Sequence, residues 1–177
     1  MSRQMPVDDL DHIEMRREQW RKELPDVDTI GMAILGRARL ATLLARGPIE
    51  ATFARHGIDT GEFDVLTTLL RSGSPYRLRP TELFKSLMIS SGGLTDRLNR
   101  LEKAGHIQRR PSDNDARSLL VELTAKGRKL AQLAFREDMA VEAKLLEALS
   151  KTERDQLSQL LGRLLREVER QAATLPT

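Results

Sequence analysis

The residues able to do chemistry gather between positions 90 and 117, and their types suit holding an anion rather than making or breaking a bond. Ser90, Ser91, Gly92 and Gly93 open the stretch, Thr95, Asp96, Asn99, Arg100 and Lys103 follow at helical spacing, and Asp115 and Arg117 flank one small residue in the turn-rich segment 111–117. Small residues at a helix start leave its free first-turn amides open to close approach by oxyanions. The surroundings are basic: residues 71–129 hold thirteen Lys and Arg against six Asp and Glu, while the remainder holds sixteen against twenty. A basic middle between acidic flanks directs one surface toward a polyanion.

Covalent catalysis and metal chemistry lack their parts. The absence of cysteine excludes disulfides, thiolate metal sites and thiol redox sensing. His12, His56 and His106 stand far apart in no metal-ligand spacing, so they read as surface or helix-end residues and no metal or cofactor is expected. There is no GxSxG elbow, P-loop, HExxH or dinucleotide glycine pattern, and the close carboxylates Asp113 and Asp115 sit in turn chemistry. No enzyme is expected. A composition of 40% apolar and 31% charged residues is that of an ordinary globular chain. With no apolar run of about 18 residues and no signal-peptide pattern, the expectation is a cytoplasmic protein without a membrane partner.

The elements that must position these residues follow from periodicity and punctuation. Residues 8–24 form an amphipathic helix with Leu10, Ile13, Trp20 and Leu24 on one face, ended by Pro25. A second helix covers 29–55, and Gly47 and Pro48 predict a kink or interruption within it. Asp59 and Glu62 suit a capping box opening a third helix, and Pro80 suits the first turn of a fourth over 81–88. A fifth helix over 91–104 carries Leu94, Leu98 and Leu101 on its inner face, which turns Thr95, Asp96, Asn99, Arg100 and Lys103 outward. Two strand-like segments, 106–110 and 118–123, flank the turn. The rest is helical in two parts divided at 149–150, where Ser150 and Glu153 form a second capping box. The last helix bears the stripe Leu157, Leu160, Leu161, Leu164, Leu165 and Val168, which needs a partner surface.

Helix, short loop, helix and hairpin, in that order, is the layout of a winged helix-turn-helix. The fold expected is mainly α with a small β wing, a winged helix-turn-helix plus a helical dimerisation layer. In it the fifth helix enters a major groove by its N-terminal end. Arg117 reaches a narrow minor groove, with Asp115 holding its guanidinium. Residues 1–26 form an extra N-terminal helix, 27–58 and 124–177 the dimerisation helices, and 59–123 the DNA-binding domain.

The stretch "LRPTELFKSLMISSGGLTDRLNRLEKAGHIQRRPSDNDARSLLVELTAKG" resembles the DNA-binding domain of the MarR family over its full length, with "RLEKAG" and the D-x-R … V-x-L-T-x-x-G pattern as its most specific pieces. The resemblance implies a homodimer binding a pseudo-palindromic operator in double-stranded DNA, usually as a repressor released by a small-molecule effector. Asp115 and Arg117 fall on the family's wing aspartate and minor-groove arginine. Ala116 stands where a first wing arginine is usual, and Asp96 where a basic or neutral residue is common, so base preference does not transfer. The segments "QWRKELPDVDT" and "GEFDVLTTLLRSGSPYRL" resemble the PecS/HucR-type, urate-responsive branch. That resemblance implies an effector site of Trp20, Asp64, Arg97 and Arg109, taking urate or a related purine.

The residues themselves are compatible with that site. Asp64 lies in an apolar helix, where a carboxylate needs a cationic partner to stay charged; Arg97, on the flank of the leucine stripe, and Arg109 are the candidates. Trp20, the sole tryptophan, offers a flat face and an indole N–H, or serves as a packing anchor for its helix. Phenolic or other aromatic anions are the alternative effectors, and a winged helix used for protein contacts is the alternative to DNA binding.

Overall fold

The computed structural model describes residues 11–87, 93–112 and 115–174. Two compact units are present, residues 1–50 and 51–177.

In the first unit α1 (His12–Glu23) begins where Asp11 accepts hydrogen bonds from the Ile13 and Glu14 amides, satisfying donors that a helix start leaves open. It packs on the early part of α2 (Ile30–Arg55) through Ile13, which is buried and seated at Gly36; a Cβ there would lie 3.1 Å from Ile13 Cδ1. Arg37 bridges Asp11 at 2.6 Å and Glu14 at 3.0 Å, while Arg17 pairs with Glu14 and donates to the Thr29 hydroxyl. Arg37 is the main reason both carboxyls sit below their ordinary pKa.

Of the kink or interruption expected at Gly47 and Pro48, the interruption is absent: α2 runs continuously through Pro48. The proline ring takes the amide partner from the Leu44 carbonyl, and Leu44 is exposed, which leaves that carbonyl within reach of water.

The second unit starts with the last turn of α2, whose buried Phe53 stacks on Phe63 at a centroid distance of 4.0 Å. Asp59 and Glu62 form the expected capping box, and α3 (Thr60–Arg71) buries Val65, Leu66 and Leu69 at the centre of the core. Pro80 opens α4 (Pro80–Ser86), and Arg71 donates to the Ser86 carbonyl to tie the ends of α3 and α4 together. The next helix, α5 (Leu94–Lys103), buries Leu98 and Leu101. Its N-cap is Gly93 at φ 77°, a left-handed conformation that a side chain would strain. α6 (Ala125–Leu145) packs on α3 and buries Gly127, Ala131 and Ala134, and Gly127 leaves room for the His106 backbone carbonyl, which a Cβ would strike.

The wing is larger than the two strands expected. β1 (Arg77–Leu78), β2 (Ile107–Ser112) and β3 (Asp115–Leu123) form an antiparallel sheet in the order β1-β3-β2. Arg77 and Leu78 pair with Glu122 and Val121, covering an edge of β3. A two-residue strand has no periodicity to read, which is why β1 escaped the sequence pattern. The last helix, α7 (Lys151–Ala172), opens on the Ser150–Glu153 capping box and buries none of its residues within this single chain. Among the described residues no helix is long and apolar enough to cross a membrane.

Candidate nucleic-acid interface and anion site

The leucine stripe of α5 sets the outward direction of its other side chains. With Leu98 and Leu101 in the core, Thr95, Asp96 and Lys103 are exposed, as the wheel predicts. Asn99 and Arg100 are exposed on the same face, and each also carries a contact within the protein. Arg100 turns back to α3, its Nε donating to Glu62 at 2.8 Å and its other end to Asp59 at 2.6 Å. Asn99 accepts from Arg109 at 2.7 Å. Asn99 and Arg100 both face outward as the wheel predicts, and the Arg100 pairs are what the wheel does not give: a long arginine reaches across to the acids of a neighbouring capping box, a tertiary proximity that no spacing along α5 reveals.

Asp96 finds a role in the same arrangement. The Glu62 hydrogen bond and charge, with the charges of Asp59 and Asp96 adding, raise the proton affinity of the Arg100 guanidinium. Asp96 also lies in the first turn of α5, where negative charge suits the helix dipole.

Ser90, Ser91 and Gly92 lie outside the described residues. Asp115 and Arg117 are on β3 by their backbone, and their side chains lie outside the description too. A groove of about 470 Å³ runs between α4 and the start of α5, lined by Thr81, Phe84, Lys85, Gly93, Leu94 and Thr95.

Of the four effector candidates, Asp64 and Arg97 fall in one neighbourhood. Asp64 is buried on α3 at 7% exposure. A Cβ on Gly61, one turn earlier on the same helix face, would lie within 2.8 Å of the Arg97 Cδ, Nε and Cζ atoms. The guanidinium of Arg97 therefore rests on bare backbone at Gly61. Arg109 is half-buried and bound to α5, where Glu102 takes its Nη1 at 3.0 Å and accepts its backbone N–H at 3.2 Å. Glu102 is thus an ionic partner of Arg109. In the first unit Trp20 is 49% exposed and lines a groove of about 330 Å³ with Leu24, Val27, Asp28 and Met32.

Sequence reading passed over Asp138, which nothing in the pattern of α6 distinguishes. It continues the Gly127, Ala131, Ala134 stripe and is buried, with Oδ1 lacking a hydrogen-bond partner among the described residues. Burial, with Glu142 adding repulsion, pushes its pKa up to about 6. Each histidine stands at or beside a helix end, as expected: His12 opens α1, His56 follows α2 and His106 lies beyond α5. His56 pairs with Glu137 at 3.0 Å, and His106 is half-buried beyond α5 with its pKa lowered, first by burial and then by Lys126. No group of three potential metal-binding side chains exists among the described residues.

A tri-helical core with a paired-strand wing following its third helix defines a winged helix-turn-helix, a class whose third helix reads duplex DNA. A family model described as MarR family matches residues 56–118. Over 147 residues the chain is 37% identical to the HTH-type transcriptional regulator PecS of Dickeya dadantii (strain 3937), covering 83% of this chain and 89% of that one. Transcriptional repressor MprA of Escherichia coli (strain K12) is 38% identical over 109 residues, 62% of this chain and 61% of that one. In structure the chain is similar to a mutant MarR from E. coli complexed with operator DNA, with a TM-score of 0.64 and 25% identity over 82% of this chain and 97% of that one. The chain belongs to the MarR family of transcriptional regulators. Its relatives are regulators and not enzymes, in keeping with the missing catalytic motifs.

Proposed function

We propose that the protein is a homodimeric repressor of a pseudo-palindromic operator, released from DNA by an anionic purine such as urate. The observation that carries the effector reading is the position of Arg97: it stands on the helix presented to DNA, yet its guanidinium lies on α3 one turn from buried Asp64. An anion at this place competes with Asp64 for Arg97 and repels the carboxylate, which acts directly on α5. The parts of Arg109, held on the other side of α5 by Asn99 and Glu102, and of Trp20 rest on the resemblance alone. Linkage requires that DNA weaken the effector by the factor by which the effector weakens DNA.

The homodimer is supported by the apolar faces the single chain leaves open. Leu157, Leu160, Leu161, Leu165 and Val168 of α7 are each 41–58% exposed, as are Ile34, Leu35, Leu43 and Leu44 of α2 to a similar extent or more. Faces of that kind pack on a second copy in symmetric dimers. The repressor reading takes support from MprA, a repressor by name. A phenolic or other aromatic anion is the second reading, favoured by the groove beside α5 in which exposed Phe84 adjoins Lys85.

The test is Trp20 fluorescence during titration with urate, xanthine and salicylate, beside a mobility shift on the DNA upstream of the protein's own coding region. Saturable quenching by a purine that also releases DNA is expected. Release by salicylate alone selects the aromatic reading, and retention of DNA with all three overturns the effector assignment.

A further inference from the structure

The arginines at 97 and 100 lie three residues apart on α5 and both end on the first turn of α3. Arg97 fills the space that the missing side chain of Gly61 leaves. Arg100 closes on Asp59 and Glu62, which flank Gly61. Glu62 is buried, and its two carboxylate oxygens are both used, Oε2 by the Asp59 amide at 2.9 Å and Oε1 by Arg100 at 2.8 Å. Taking Arg100 away leaves a buried carboxylate oxygen without its partner. On its other side α5 is held by Arg109, bound to Asn99 and Glu102. Thus the same turn that starts α3 also fixes the rotation and tilt of α5.

We propose that the Asp59–Glu62 turn is a clasp that sets the angle at which α5 is presented to DNA, with Gly61 as the seat of Arg97 and Arg100 as a positioning residue rather than a phosphate contact. The proposal rests on the DNA-binding reading and adds a second, effector-independent hold to it. The clasp explains why Arg100, on a helix otherwise offered to DNA, is spent on protein. It also divides labour: an anion that draws Arg97 off Gly61 removes one anchor, and Arg100 keeps the helix attached while it swings.

The design of the test follows from what each role would move. Arg100→Ala and Glu62→Gln both open the clasp, and glutamine at 62 keeps the capping box. If α5 is competent only when clasped, each variant weakens operator binding by roughly tenfold, because apparent affinity scales with the competent fraction. The double variant is then no weaker than the worse single, since both break one interaction. The slope of log affinity against log salt stays at its wild-type value, because no phosphate contact is lost. Gly61→Ala, which strengthens α3 while evicting Arg97, weakens binding without lowering the melting temperature. Amide exchange of α5 in the free protein rises in Arg100→Ala and Glu62→Gln, a reading independent of DNA.

A salt slope reduced by about one in Arg100→Ala, with Glu62→Gln binding as wild type, makes Arg100 a phosphate contact and overturns the proposal. Unchanged exchange in α5 overturns it as well. Failure of the wild-type protein to bind its operator would instead overturn the DNA reading, while the exchange arm still decides whether the clasp holds α5.

Discussion

Helices α5 and α7 are built from the same materials, leucines at helical spacing among arginines and acids, and they end in opposite situations. α5 buries Leu98 and Leu101 in its own chain and ties Arg97 and Arg100 to α3. α7, about twice as long, buries none of its residues, and of its arginines Arg170 pairs with Glu167 on the same helix at 2.6 Å. An amphipathic pattern states that a face must be covered; it does not state by what. One helix is completed within the chain; the other leaves open the face that the proposed dimer would cover.

The comparison breaks first at α7. Leu160→Glu with Leu165→Glu places two charges in the proposed dimer face; sedimentation should show monomers, and operator affinity should fall by about 100-fold or more as the two half-sites lose their linkage. A variant that remains dimeric would place the interface elsewhere. At α5 the same test gives a different result. Leu101→Ala opens a cavity inside one chain and should cost about 2–5 kcal/mol of stability in denaturant unfolding, with the dimer retained.

A third substitution sharpens the DNA side of the contrast. Arg117→Ala should cost on the order of 1–3 kcal/mol of operator binding if it reaches the minor groove, and affinity unchanged from low to moderate salt would remove it from the interface.

The smallest effect belongs to Asp138 on α6. Its folded pKa of about 6 lies above the ordinary 3.8, so the native state binds the extra proton between those values and stability falls as pH rises through that window. Asp138→Asn should therefore raise the melting temperature at pH 7.5, by a few degrees, and leave it nearly unchanged at pH 4. A lowered melting temperature at pH 7.5 would mean that the second copy supplies a cation to Asp138, which would move this carboxylate from the single-chain side of the comparison to the dimer side.

What could be read ahead of the structure was local. The Asp59–Glu62 and Ser150–Glu153 capping boxes and the proline start of α4 each appear at the positions their spacing predicts, because three or four adjacent residues contain the whole interaction. The leucine stripe of α5 likewise showed which face goes inward. Legibility failed where the deciding partner is distant in sequence. Arg100 reaches acids 41 and 38 positions earlier, and Arg109 binds Asn99 and Glu102 on a different element. β1 exists only because β3 offers it an edge.

The sequence by itself determined the succession of the helices and of strands β2 and β3, the inward face of α5 and the basic middle of the chain, all of which depend on residue type and short-range spacing. Only the tertiary structure decided which cations are spent on protein. It put Arg97 on Gly61, Arg100 on Glu62 and Arg109 on Glu102, and left Asp138 buried with an oxygen unmet. The reason is physical: an ion pair forms at a few ångströms, and which groups come that close is set by the packing of whole helices, not by their order along the chain.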